Sequence, residues 1–208
     1  MNPSSGHGGA RLGVLGGTFD PIHIGHLVAA SEAMHRFALE RVTLVPTGRP
    51  WQKSIYSDAE DRFMMATLAA ATHPRLSVSR VEIDRKGPTY TVDTLETFRS
   101  FFPEHELFFI AGADAVLELK TWHRVEDIAG LAEIIAVTRP GSTLEDLDTP
   151  EGWPNVHIME MPALAVSSTD IRRRVGEGVP IDYLVPSQVH AFIRDRGLYA
   201  GVSEVSRA

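Results

Sequence analysis

The sequence predicts an α/β fold, a Rossmann-like, doubly wound parallel sheet with helices on both faces and a small C-terminal helical segment. Three observations predict it. Short apolar runs rich in Val, Ile and Leu alternate with stretches of helical period along the chain. Those runs are apolar throughout, as strands covered on both faces are. The first of them ends in Gly16-Gly17, the kind of tight exit from which such sheets build ligand sites.

Taken in order, residues 11–15 form the first short apolar run before the glycines. Over 24–37, Leu27, Ala30, Met34 and Phe37 recur at helical spacing. Residues 42–45 read as a second buried strand that stops at Pro46. Ser57-x-x-Glu60 has the form of a capping box opening a helix through Met64, Met65, Leu68 and Ala71. Residues 76–83 look extended and 92–101 helical. Further strands are expected over 107–110, ending in Gly112, over 133–137 and over 156–159. Residues 138–153 hold several Gly, Pro and Asp and predict an exposed loop. Val185, Val189, Phe192 and Ile193 share a helical face, with Pro186 near the start and Gly197 just past the end.

A chain of 208 residues with this pattern predicts one domain over 11–200, a lead-in at 1–10 and a tail at 201–208. It contains no cysteine, so disulfides and thiolate metal sites are excluded, and a cytoplasmic location is the expectation. A formal charge of −7 argues against broad nucleic-acid binding, which needs a basic face, and no nucleic-acid partner is expected. No stretch approaches the roughly 20 apolar residues of a membrane span. The first ten residues lack the apolar run of a signal peptide. Homo-oligomerisation is compatible with the sequence and not specified by it.

The densest motif is Gly16-Gly17-Thr18-Phe19-Asp20-Pro21-Ile22-His23-Ile24-Gly25-His26. Glycines at 16 and 17 allow positive φ and put no side chain between the backbone and an anion. The helix that follows aims free N–H groups and a positive dipole end at the same place. His23 and His26, three residues apart, fall on one helical face, and Gly25 keeps the surface between them low. Two imidazoles beside a polyphosphate can donate to oxygens that gain charge during displacement. Zinc fits less well, because zinc helices space their histidines by four around a Glu and no third ligand stands nearby; no protein-held metal is expected.

A second anion-binding element is Val166-Ser167-Ser168-Thr169-Asp170-Ile171-Arg172. Ser and Thr are good N-caps, and Arg172, about one turn after Ser168, can reach the same anion with a bidentate fork. Alone, the same string also describes a capped surface helix with solvated arginines. Gly87-Pro88-Thr89-Tyr90-Thr91 reads as a turn and a helix capped by Thr91. Asp114, at a strand exit, can accept from ribose hydroxyls or cap a helix; Trp122 can stack on a cationic ring or fill the core. Arg139, after the fifth strand, suits an acceptor phosphate or a plain surface loop.

The eleven-residue string resembles the HxGH nucleotidyltransferase superfamily, and within it the bacterial nicotinate mononucleotide adenylyltransferases. The second string is similar to that family's ISSTxIR motif with Val166 in place of Ile. Thr89-Tyr90-Thr91-Val92-Asp93-Thr94-Leu95 and the Gly112…Trp122 spacing select the nicotinate branch. The resemblance implies that His23, His26 and Arg172 are catalytic and contact the ATP phosphates. It implies that Gly16, Gly17, Thr18, Phe19, Ser168 and Thr169 complete the ATP site. Thr89 and Tyr90 would meet the nicotinate carboxylate, with Asp114, Trp122 and Arg139 around the acceptor. In the loop 46–53 this chain has Trp51-Gln52 where the family often reads Pro-His, so only Lys53 carries over, as a phosphate contact.

What the resemblance implies is transfer of the adenylyl group of ATP to nicotinate mononucleotide, with Mg²⁺ arriving on the ATP. Sibling enzymes are weighed against it. Phosphopantetheine adenylyltransferases usually carry Thr at the place of His23 and lack the Thr-Tyr-Thr and Trp122 elements. Cytidylyltransferases differ in the second motif, and class I aminoacyl-tRNA synthetases need a lysine-rich motif and a tRNA-binding extension. A nucleotide sensor on the same fold would bind ATP without releasing pyrophosphate.

Overall fold

The computed structural model describes residues 9–48, 55–139 and 153–202. Six strands, β1 (Arg11–Gly17), β2 (Arg41–Pro46), β3 (Leu76–Val78), β4 (Glu106–Gly112), β5 (Glu133–Thr138) and β6 (Val156–Glu160), form one sheet. Their spatial order is β3-β2-β1-β4-β5-β6. Every pairing is parallel, with Val14 of β1 set between Thr43 of β2 and Phe109 of β4. This is the doubly wound arrangement expected.

Helices α1 (Ile24–Arg36), α2 (Ala59–Ala70), α6 (Ser168–Gly176) and α7 (Ser187–Asp195) bury Ala30, Met34, Met65, Ala66, Ile171 and Val189 against one face of the sheet. Helices α3 (Thr91–Phe101), α4 (Ala113–Leu117) and α5 (Val125–Ile128) bury Val92, Leu95, Phe98, Val116 and Ile128 on the other. Alternate residues of one strand therefore serve two cores: in β4, Phe108 and Ile110 point to the first while Leu107 and Phe109 point to the second. The chain changes face between β1 and β4, which opens a crevice at the carboxyl ends of the central strands.

Three local expectations change. The extended run foreseen at 76–83 pairs only over Leu76–Val78, after which Asp84 N–H donates to Arg80 C=O and the chain coils into a helical turn. Ser57 does not cap α2; Asp58 precedes the helix and the Ser57 hydroxyl is drawn to Asp20 instead. Thr91 is the first residue of α3 and Tyr90 its N-cap. The short helices α4 and α5, with a 3₁₀ turn at Leu119–Thr121 between them, have too few turns for a sequence period to show.

Candidate active site

The exit of β1 is packed with rings. A Cβ on Gly16 would lie 2.8 Å from the Phe109 ring, and one on Gly17 would lie 2.8 Å from the Phe19 ring. Neither glycine has positive φ; the left-handed residue is Phe19, at φ 52°. The glycines are thus required by aromatic side chains lying over the backbone, not by turn geometry. Phe19 is itself buried in the core, where its ring meets His26 edge-on at 5.0 Å. Thr18 is half-buried beside it.

His23 is the N-cap of α1, and its ring stacks on that of His26 at 3.7 Å between centroids. The backbone N–H of His23 donates to His26 Nδ1 at 3.1 Å, so the proton of a neutral His26 sits on Nε2. Burial, helped by the positive charge of Arg139, pulls the His23 pKa down to about 4. At neutral pH the His23 imidazole is therefore uncharged, and the His26 ring, accepting at Nδ1, is held in a fixed orientation beside it. The reason for Gly25 also differs from expectation: its missing Cβ would stand 3.0 Å from the His23 ring and 3.1 Å from Val166. Gly25 makes room for the His23 ring itself and for the second motif.

That second motif folds as a capped helix start. Ser167 Oγ accepts from the Asp170 N–H at 3.1 Å, leaving Ser168 and Thr169 in the first turn of α6. Ser168 Oγ donates to Pro21 C=O at 2.8 Å and Arg172 Nη1 donates to Asp20 C=O at 2.6 Å. Arg172 also reaches Thr169 Oγ1 at 3.2 Å and lies 4.3 Å over the Tyr56 ring. Arg139 Nη2 donates to Val166 C=O at 3.1 Å, which holds it on the His23 side of the crevice. The structure thus brings together the starts of α1 and α6, more than 140 residues apart in sequence, with His23, His26, Arg139 and Arg172 around one space. Arg173 and Arg174 turn away and pair with Asp170.

The residues read from the sequence as acceptor contacts lie ahead of α3 and after β4. Thr89 is buried, and Tyr90 sits against His123 at 4.3 Å. Trp122 is half-buried, its Nε1–H donating to Ala115 C=O at 3.2 Å and its ring meeting Phe109 edge-on at 5.7 Å. Asp114 lies exposed in the first turn of α4, whose N-cap is Gly112. Lys53 and the Trp51-Gln52 departure lie outside the described residues. Among those residues no group of three His, Asp or Glu is placed to hold a metal ion.

The residues the sequence reading missed hold the frame. Asp20 is buried, with Oδ1 accepting from Ser57 Oγ at 2.5 Å and Tyr199 OH at 2.7 Å, and Oδ2 from the Tyr56 N–H at 2.8 Å. Burial beside that carboxylate pushes the Tyr199 phenol well above its ordinary range. Arg62 has no exposed surface and donates to Thr18 C=O at 2.9 Å, Thr47 C=O at 2.6 Å and Gly48 C=O at 3.1 Å, clasping the exits of β1 and β2 together. Its sequence signal is positional. Arg62 occupies the same α2 face as Met65, Ala66 and Ala69, where a solvated arginine has no place.

A model of the cytidylyltransferase-like family matches residues 14–174. A probable nicotinate-nucleotide adenylyltransferase of Saccharopolyspora erythraea is 54% identical over 92% of this chain and 90% of its own length. The chain belongs to that family. A second such relative, from Streptomyces coelicolor, is 54% identical over 90% of this chain and 100% of its own length. A nicotinic acid mononucleotide adenylyltransferase of Plasmodium falciparum, solved in complex with NaAD, has the same fold at a TM-score of 0.73. It is 18% identical, over 91% of this chain and 97% of its own. The family match spans both anion-binding elements, from Val14 in β1 to Arg174 in α6.

Proposed function

We propose that this chain transfers the adenylyl group of ATP to nicotinate mononucleotide, releasing pyrophosphate and giving nicotinate adenine dinucleotide in NAD biosynthesis. The observation that carries it is the convergence of the stacked His23–His26 pair and the Arg172 fork between two helix N-termini. Such a surround of N–H donors and cations fits a triphosphate.

The 5′-phosphate oxygen of the acceptor attacks the α-phosphorus of ATP in line, and the bond to the β-phosphate bridging oxygen breaks. The nucleophile is already an anion, so the reaction needs positioning and charge neutralisation rather than a general base. Gly16, Gly17, Thr18 and Phe19 shape the nucleotide floor. His23 and His26 donate to phosphate oxygens, while Ser168, Thr169 and Arg172 hold the triphosphate from the other side. Arg139, whose charge is felt at His23, neutralises the phosphates about to be joined. Mg²⁺ enters as part of the nucleotide substrate, held by phosphate oxygens and water, and supplies charge neutralisation of the leaving pyrophosphate.

On the acceptor side, the backbone N–H groups of Thr89 and Tyr90, just ahead of α3, favour a carboxylate over a carboxamide. The fixed Trp122 ring offers a face to the pyridinium, and Asp114 accepts from ribose hydroxyls. Lys53 supplies a further phosphate contact. We take residues 11–200 as the catalytic unit, working in the cytoplasm without nucleic acid.

The test supplies MgATP with nicotinate mononucleotide or nicotinamide mononucleotide in parallel and measures pyrophosphate and dinucleotide. Strong preference for the acid is expected. Equal use would remove the selectivity assigned to Thr89 and Tyr90, and no product from either would overturn the reading.

A further inference from the structure

Glu82 belongs to none of the motifs, yet it is 7% exposed in the helical turn beyond β3, at the edge of the crevice. Its Oε1 accepts from Thr94 Oγ1 on α3 at 2.8 Å, and the buried Thr89 lies beside the same carboxyl. From the opposite side the backbone of Gly48 donates to it, and Gly48 is packed so closely on the Glu82 main chain that no Cβ fits there. The Gly48 carbonyl is in turn the one taken by Arg62.

We infer that Glu82 is a positioning residue for the acceptor half of the site, tying the exit of β2 at Gly48 to the segment 89–94 that recognises the acceptor. The inference rests on the function proposed above. The exit of β2 and the segment that opens α3 must keep a fixed spacing if one contributes the phosphate side of the acceptor pocket and the other the carboxylate side. A carboxylate, with two acceptor oxygens, can serve both sides at once, which a neutral side chain with one acceptor does not. The charged groups facing Glu82 are Arg62 on α2 and Arg85 on the following turn, and Arg85 is shared with Asp93 of α3 at 3.1 Å. Burial outweighs these cations and raises the Glu82 pKa to about 7. The spanning, ionised form is therefore gained as pH rises through neutrality.

Steady-state kinetics with MgATP and nicotinate mononucleotide varied in turn provide the test. Glu82→Ala is expected to raise the acceptor KM about tenfold, the loss of one charge-assisted hydrogen bond, with the ATP KM within about twofold. Glu82→Gln, which keeps one acceptor oxygen, should recover part of that loss. It should also lack the rise in acceptor kcat/KM between pH 6 and 8 that the unaltered protein shows beyond titration of the substrate phosphate. If the Ala variant does not fold, Thr94→Val carries the same expectation. An unchanged acceptor KM, or acceptor and ATP KM rising together, would overturn the inference while leaving the function intact. Absence of dinucleotide from the unaltered protein would instead overturn the function on which it rests.

Discussion

Arg62→Met removes a buried cation while nearly conserving the volume of its stem. The guanidinium donates to three main-chain carbonyls at 2.6–3.1 Å, and its charge interacts with that of the buried Asp20. Burial alone lowers the pKa of Arg62, so the ion is held by these partners rather than by solvent. Its loss leaves three carbonyls unpaired between strand exits and one carboxylate with less compensation. Breaking buried ionic arrangements of this kind costs on the order of 3–5 kcal/mol. For a domain of this length each kcal/mol moves the melting midpoint by about 2–4 °C, so a drop of roughly 6–20 °C is expected. Arg62→Lys keeps the charge but not the fork, and should fall between the two. Thermal and urea unfolding of the three proteins give the measurement. A Met variant melting within about 3 °C of the unaltered protein would refute the claim that Arg62 clasps β1 to β2.

Four further outcomes follow from the site. His26→Ala should fold normally and lose about 10²–10³ in kcat, the range for deleting one preorganised donor; near-normal turnover in a folded variant would remove its assigned role. Gly25→Ala drives a methyl into the His23 ring and Val166, so kcat should fall by more than tenfold while the urea midpoint moves little; the reverse ranking would contradict the account of that glycine. Tyr199→Phe leaves Asp20 Oδ1 with Ser57 alone and should cost about 1–2 kcal/mol, read as a shift in urea midpoint at constant slope. His23 carries a folded pKa of about 4 against 6.5 when unfolded. Its contribution is complete above pH 6.5 and declines as pH falls toward 4, by about 3 kcal/mol in all. Glu82, raised to about 7, acts in the opposite sense between pH 4.5 and 7, so the His23 component is the difference between the unaltered protein and His23→Asn.

The positions of β1, β2, β4 and β5 were legible because these strands are buried on both faces and leave largely apolar runs. The exception is the run at 76–83, where Val81 and Ile83 pack beside a turn instead of extending a strand; hydrophobicity reports burial there, not pairing. The two anion-binding elements were legible because glycine, histidine and serine are scarce enough in combination to carry meaning. Their reasons were less so. Gly16, Gly17 and Gly25 read as phosphate clearance, while their neighbours are Phe109, Phe19 and His23, which only the folded arrangement brings to them. Asp20 and Tyr199 went unassigned, and Ser57 was read as a helix cap, for the same cause. The partners of Asp20 come from positions 36, 37 and 179 residues away, and no local pattern encodes so long a reach.

The reach of Tyr199 to Asp20 has a consequence for synthesis of the chain. The first motif leaves the ribosome early, with His23 and His26 already at the head of their helix. Its carboxylate anchor and the Arg172 side of the pocket wait for nearly two hundred residues to be translated. A nascent chain therefore displays the signature long before the two sides of the crevice can meet.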